Sequence, residues 1–131
     1  MQFIAIQKNT RQSSRKVRLV ANQIKKLDLL KAIDQLAVIE RKSTLVLLKV
    51  IKQAIANAVN NHGVAVADLK IKEIIINDGP IYKRFRAVSR GRGHAITKRT
   101  SHVRVVLEKI EKELSKIGSK PTSAKKATVG K

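Results

Sequence analysis

The apolar periodicity of the chain changes several times, and each change marks an element. Residues 2–8 alternate loosely, Phe3 and Ala5 against Ile4 and Ile6, which predicts a short strand. Ser13 stands where an N-cap belongs, ahead of a helix that starts at Ser14. Val17, Val20, Ala21 and Ile24 follow at i, i+3, i+4 and i+7 and form one apolar stripe. Arg15, Arg18, Asn22 and Lys25 repeat that spacing on a different face, so this helix has a core side and a side for a polyanion. Asp28 is placed to cap a second helix, about Leu29 to Ile39, with Leu30, Ile33, Leu36 and Ala37 turned inward. A third helix, about Arg41 to Asn61, carries the longest stripe: Leu47, Leu48, Ile51, Ala54, Ile55, Ala58 and Val59. It is the expected core helix. His62-Gly63 stops it, since glycine takes a left-handed conformation readily.

Beyond the loop Val64–Asp68 the pattern becomes that of strands. Leu69 to Asn77 is rich in β-branched residues, and Asp78-Gly79-Pro80 breaks the run. Ser101 to Leu107 alternates Val103, Val105 and Leu107 with Arg104 and Val106, a second strand that pairs antiparallel with the first. Between them lies Ile81 to Thr100, basic and poor in core residues. A structureless loop of that length inside a compact domain is unusual, so the stretch is either disordered or a long projecting hairpin. Arms of about ten residues at roughly 3.3 Å each would reach about 30 Å. Arg90-Gly-Arg-Gly93 supplies glycines for its turn. From Glu108 the pairs Glu108–Lys112 and Lys109–Glu113, with Ile110, Leu114 and Ile117, suggest a last helix. After Gly118 the Ser/Lys/Pro/Thr/Ala composition is that of a disordered tail.

Charge changes this picture more than length does. In 131 residues there are 29 Lys/Arg and 9 Asp/Glu, a formal net charge of +20. Self-repulsion of that size opposes compaction, and a polyanionic partner relieves it. The cations fall in three acid-free blocks: seven in residues 1–27, eight in 79–107 and five in 114–131. Folding brings such blocks onto one extended surface, and nucleic acid is the partner that rewards them through counterion release. Aromatics are only 2% of the chain, so the core is aliphatic.

Enzyme chemistry finds no foothold. Cysteine is absent, which excludes disulfides and thiolate metal sites. His62, His94 and His102 have no carboxylate at metal-ligand spacing, so no metal and no cofactor are expected. The basic blocks hold no carboxylate cluster for a nuclease. Ser101 and His102 are strand neighbours on opposite faces and make no triad. Gly91-Arg-Gly93 is no dinucleotide fingerprint. The first residues are too short and too soon charged for a secretory signal, and Thr44 to Val59 is interrupted by Lys49, Lys52, Gln53 and Asn57, so no membrane span is expected. Two other binding readings stand beside RNA. A DNA-architectural protein would wedge an apolar residue such as Val88 into a groove. A membrane-surface protein would need apolar helix faces that the core here requires.

Ser13-Ser-Arg-Lys-Val-Arg-Leu-Val-Ala21, Ala54-Ile-Ala-Asn-Ala58, Gly79-Pro80 with Lys83-Arg84, Arg90-Gly-Arg92 and Lys98-Arg-Thr-Ser-His102 occur in that order. With them, residues 1–108 resemble the bacterial-type large-subunit ribosomal protein twenty-two family. The resemblance implies an α+β fold: a small body of three helices packed on a three-stranded antiparallel sheet, with a long protruding β-hairpin at about 79–102. Residues 109–131 form a basic C-terminal extension beyond the family's usual end. It further implies a structural, non-enzymatic constituent of the large subunit. Such a protein binds large-subunit ribosomal RNA and neighbouring ribosomal proteins, assists assembly, and lines the nascent-peptide tunnel with its hairpin tip. The implied location is the cytoplasmic ribosome, with an organellar one as the alternative. Carried onto this chain, the RNA-binding residues are Arg11, Arg15, Lys16, Arg18, Lys25, Lys83, Arg84, Arg86, Arg90, Arg92, Lys98, Arg99 and Arg104. The tip is Val88, Ser89, Arg90, Gly91, Arg92 and Gly93. Ser14 stands where many members carry proline, and Ala87-Val-Ser89 where they often carry Pro-Arg-Ala, which removes stiffness and one arginine from the tip.

Overall fold

The computed structural model describes residues 1–110. Strand β1 (Gln2–Thr10) leads into helix α1 (Ser14–Ile24), then α2 (Leu29–Val38) and α3 (Lys42–His62). A single 3-10 turn, Val66–Asp68, precedes the long strand β2 (Leu69–Ala87), and β3 (Gly93–Lys109) returns from the hairpin tip. The sheet is antiparallel in the order β1-β3-β2, so the last strand is the central one.

The helices cover one face of the sheet. Phe3, Ala5, Val103, Val105, Leu107, Ile74 and Ile76 meet the buried stripes of all three helices in one cluster. The α1 stripe falls as its periodicity predicts, with Val17, Val20, Ala21 and Ile24 all buried. In α3, Leu47, Ile51, Ala54 and Ala58 are buried while Val59 is 38% exposed, and Val50, left out of the predicted stripe, is buried instead. Gly63 ends the helix at φ 62°, its N–H donating to the Val59 carbonyl at 2.9 Å. The phase of α2 is one residue earlier than expected: Leu29, Ala32 and Leu36 are buried and Leu30 and Ala37 are exposed. Ser13 and Asp28 do sit at N-cap positions with extended backbone, but neither side chain makes a capping bond.

Two further expectations are corrected. Asp78-Gly79-Pro80 does not end the strand. Asp78 pairs with Ser101 and Ile81 with Arg99, so Gly79 and Pro80 together stand opposite Thr100 as a bulge, and β2 runs on into the hairpin. Proline is tolerated because β2 is an edge strand. Nor does a helix begin at Glu108. Glu108 and Lys109 belong to β3, where Glu108 pairs with Lys70 at 3.0 Å and Lys72 at 3.7 Å across the sheet. The Lys70 hydrogen bond, with help from Lys72, holds the Glu108 carboxyl below the usual carboxylate range. The remainder of the expected helix and the tail lie outside the described residues.

Candidate nucleic-acid interface

Strand alternation sorts the hairpin side chains onto two faces. Tyr82 pairs with Lys98, Arg84 with Ile96 and Arg86 with His94, which puts Arg84, Arg86 and Lys98 together on the face that continues the open side of the sheet. Ile81, Lys83, Phe85 and Ala87, opposite Arg99, Thr97, Ala95 and Gly93, form the second face. The bulge makes this possible. One extra residue reverses the parity of β2, so the even-numbered side chains that face the core in the body face outward in the finger. Every residue from Pro80 to Arg99 is exposed, Phe85 to 80%. Seven paired residues per arm, Ile81 to Ala87, give about 23 Å of ladder beyond the bulge, before the tip is counted. At the tip Ser89–Gly91 forms a 3-10 turn, closed by the Val88 N–H donating to the Arg92 carbonyl at 2.8 Å. Gly91 takes φ 69° there, and so does Arg90 at φ 62°, whereas Gly93 is an ordinary ladder residue.

The root of the finger is tied to α1. The Ser14 hydroxyl donates to Asp78, the last residue before the bulge. The Arg18 guanidinium donates to the Ile76 carbonyl at 2.9 Å and 3.2 Å and reaches the Asp78 carboxylate at 3.5 Å. The Ser14 hydrogen bond, then Arg18 and Arg99, hold the Asp78 carboxyl below its ordinary range. Arg18 is therefore partly engaged inside the protein, although its side chain remains 49% exposed. Ser14 thus supplies a side-chain bond from the start of α1 to the root of the finger.

Beside this root lies a cleft of about 680 Å³. Strand β1 stops pairing at Thr10, opposite Ser101, which leaves the edge of β3 open from Thr100 outward. The β1–α1 loop and the first turns of α1 and α3 wall that edge. Arg11 and Lys16 come from one side, Arg41 and Lys42 from the second, Lys98 and Arg99 from the third, with Tyr82 at the rim. Among the described residues no carboxylate lines it. Arg41 and Lys42 escaped the sequence reading. The signal was present, since cations in the first turn of a helix oppose its macrodipole and need a reason.

The remaining expected residues are scattered. Arg15 is exposed on α1, and Lys25 is at that helix's far end, about 16 Å from the root. Arg104 lies on the open face of the sheet, between Ile6 and Ile75. Asn9 donates its N–H to His102 Nδ1 at 3.0 Å, which engages that histidine within the fold. The candidate interface is thus a cationic cleft continued by a two-faced cationic finger, with outlying cations on the body. The family model for Ribosomal protein L22p/L17e matches residues 5–108. The chain belongs to that family, the structural, RNA-binding proteins of the large ribosomal subunit.

Proposed function

We propose that the body of this protein is anchored on large-subunit ribosomal RNA and that its hairpin passes inward through that RNA to line the nascent-peptide tunnel at Val88–Gly93. The work is positional and involves no catalysis. The location is the cytoplasmic ribosome, and the partners are ribosomal RNA, neighbouring ribosomal proteins and the emerging peptide. By joining segments of RNA that meet at the body and along the finger, the protein also assists subunit assembly. The observation that carries this reading is the finger itself. From Pro80 to Arg99 no side chain is buried in the fold, yet the ladder is continuous and dense in cations. An arm without a core of its own needs an external partner on both faces, and phosphate neutralises what the sequence concentrates there.

The absence of cysteine makes the test clean. Ser89→Cys places a unique thiol at the tip. In ribosomes stalled in translation, a thiol-directed cross-linker on that residue is expected to join the nascent chain, while the same linker on Asn61→Cys in the body is not. Equal labelling, or none at the tip, would contradict the tunnel assignment.

A further inference from the structure

We propose that the cleft at the hairpin root is a discrete seat for two or more RNA backbone phosphates held close together by a sharp turn in the strand. This deepens the RNA-binding reading and rests on it. Dispersed surface lysines attract a polyanion anywhere along its length. Cations drawn to one cleft from three separated stretches of chain, with no acid among the described lining residues, do something more specific, because they reward phosphates that have already been gathered.

Three observations favour phosphate in this place. Both helices that open onto the cleft point their N-termini at it, and neither has an acidic residue in its first turn or a side-chain cap. At α3 the free N–H groups and the positive end of the helix dipole are therefore available to an anion, whereas at α1 the Ser14 hydroxyl already holds the Asp78 carboxylate. Thr44, in the first turn of α3, donates its hydroxyl to the Ile39 and Arg41 carbonyls rather than accepting from a free N–H. Ser43 is the independent sign. It is only 5% exposed, lines the cleft, and its hydroxyl has no hydrogen-bond partner among the described residues. That hydroxyl is open to the cleft rather than bonded to a protein acceptor, so it can donate to a phosphate oxygen entering there. Tyr82 at the rim offers a ring on which the adjoining base can stack.

The chain carries one tyrosine and no tryptophan, so its emission comes from Tyr82, at the cleft rim where the finger's Arg84 lies 6.0 Å from its ring, and the cleft variants assign any change to the cleft. With the full chain, titration with inorganic pyrophosphate, two phosphates held together, is expected to change that emission saturably, at concentrations at least about tenfold lower than inorganic phosphate requires. The double variant Arg41→Gln, Lys42→Gln should lose the response. Lys49→Gln, Lys52→Gln, with the same charge change farther along α3, should keep it. In parallel, the plot of log affinity for large-subunit ribosomal RNA against log salt should become shallower by about 1 to 2 in the cleft variant. Both variants are exposed-residue changes whose folding circular dichroism checks. Equal responses to phosphate and pyrophosphate, or equal losses in the two variants, would overturn the seat. Pyrophosphate binding with an unchanged RNA salt slope would overturn it too, by making the cleft a site for small free anions. In each of those cases a steep salt slope for the unaltered protein leaves the general RNA-binding reading standing, and only a flat one removes it.

Discussion

Asp78 and Gly79 bear more on the geometry of this molecule than their size suggests, because they sit where the finger leaves the body. Asp78 receives the Ser14 hydroxyl and the Arg18 guanidinium, and its carboxyl is held low by them. A carboxyl depressed on folding stabilises above its unfolded pKa, and that contribution is lost as pH falls through the folded value. Thermal unfolding followed from neutral to acid pH should therefore show the wild type losing more stability than Asp78→Asn. Parallel curves would mean that the Ser14–Asp78–Arg18 contact adds nothing in solution. Gly79 is required for a different reason. A Cβ there would stand 2.5 Å from Thr100 Oγ1, the atom that donates to the Pro80 carbonyl at 2.7 Å. Gly79→Ala is expected to cost about 1–3 kcal/mol, as overpacking does, measurable by chemical denaturation. Neither role was legible in the sequence. Asp-Gly-Pro reads as a stop, and only the pairing of β2 with β3 shows that the strand bulges and continues.

At the level of elements, legibility followed how many solutions each apolar pattern allowed. The α1 sequence admits one stripe, and the fold uses it. The α2 sequence admits two, Leu29/Ala32/Ile33/Leu36 or Leu30/Ile33/Leu36/Ala37. Periodicity does not choose between them; packing against α3 and the sheet selects the first. The cleft was hidden for a topological reason. Its cations lie in three stretches of sequence, and only the early end of β1 and the crossing of two helix N-termini bring them together. The finger was legible only as one of two alternatives, since a long basic run with no core residues is either disordered or a projecting hairpin, and the pairing of β2 with β3 selects the hairpin. Its independence from the core can be measured. Replacing Lys83–Thr97 with Asn-Gly joins the paired residues Tyr82 and Lys98 by a two-residue turn. The shortened protein should keep its helical circular dichroism and unfold within a few degrees of the full chain. Loss of cooperative unfolding would show that the finger is part of the fold.

For the whole molecule, three features follow from where the apolar and the cationic residues fall along the chain. The body folds because the helices bury an aliphatic cluster on one face of the sheet. The finger stands clear because it buries nothing. The cations gather at the root and along the finger, the two places where the proposed RNA contacts lie. The described residues hold no helix long and apolar enough to cross a membrane. The most direct measurement is the affinity of the purified protein for a large-subunit ribosomal RNA transcript across a range of salt concentrations. If the six cleft cations each meet a phosphate, log affinity should fall linearly with log salt at a slope of about −4 to −5, steeper still once the finger engages. A nearly flat line would mean that phosphates are not what these side chains are for.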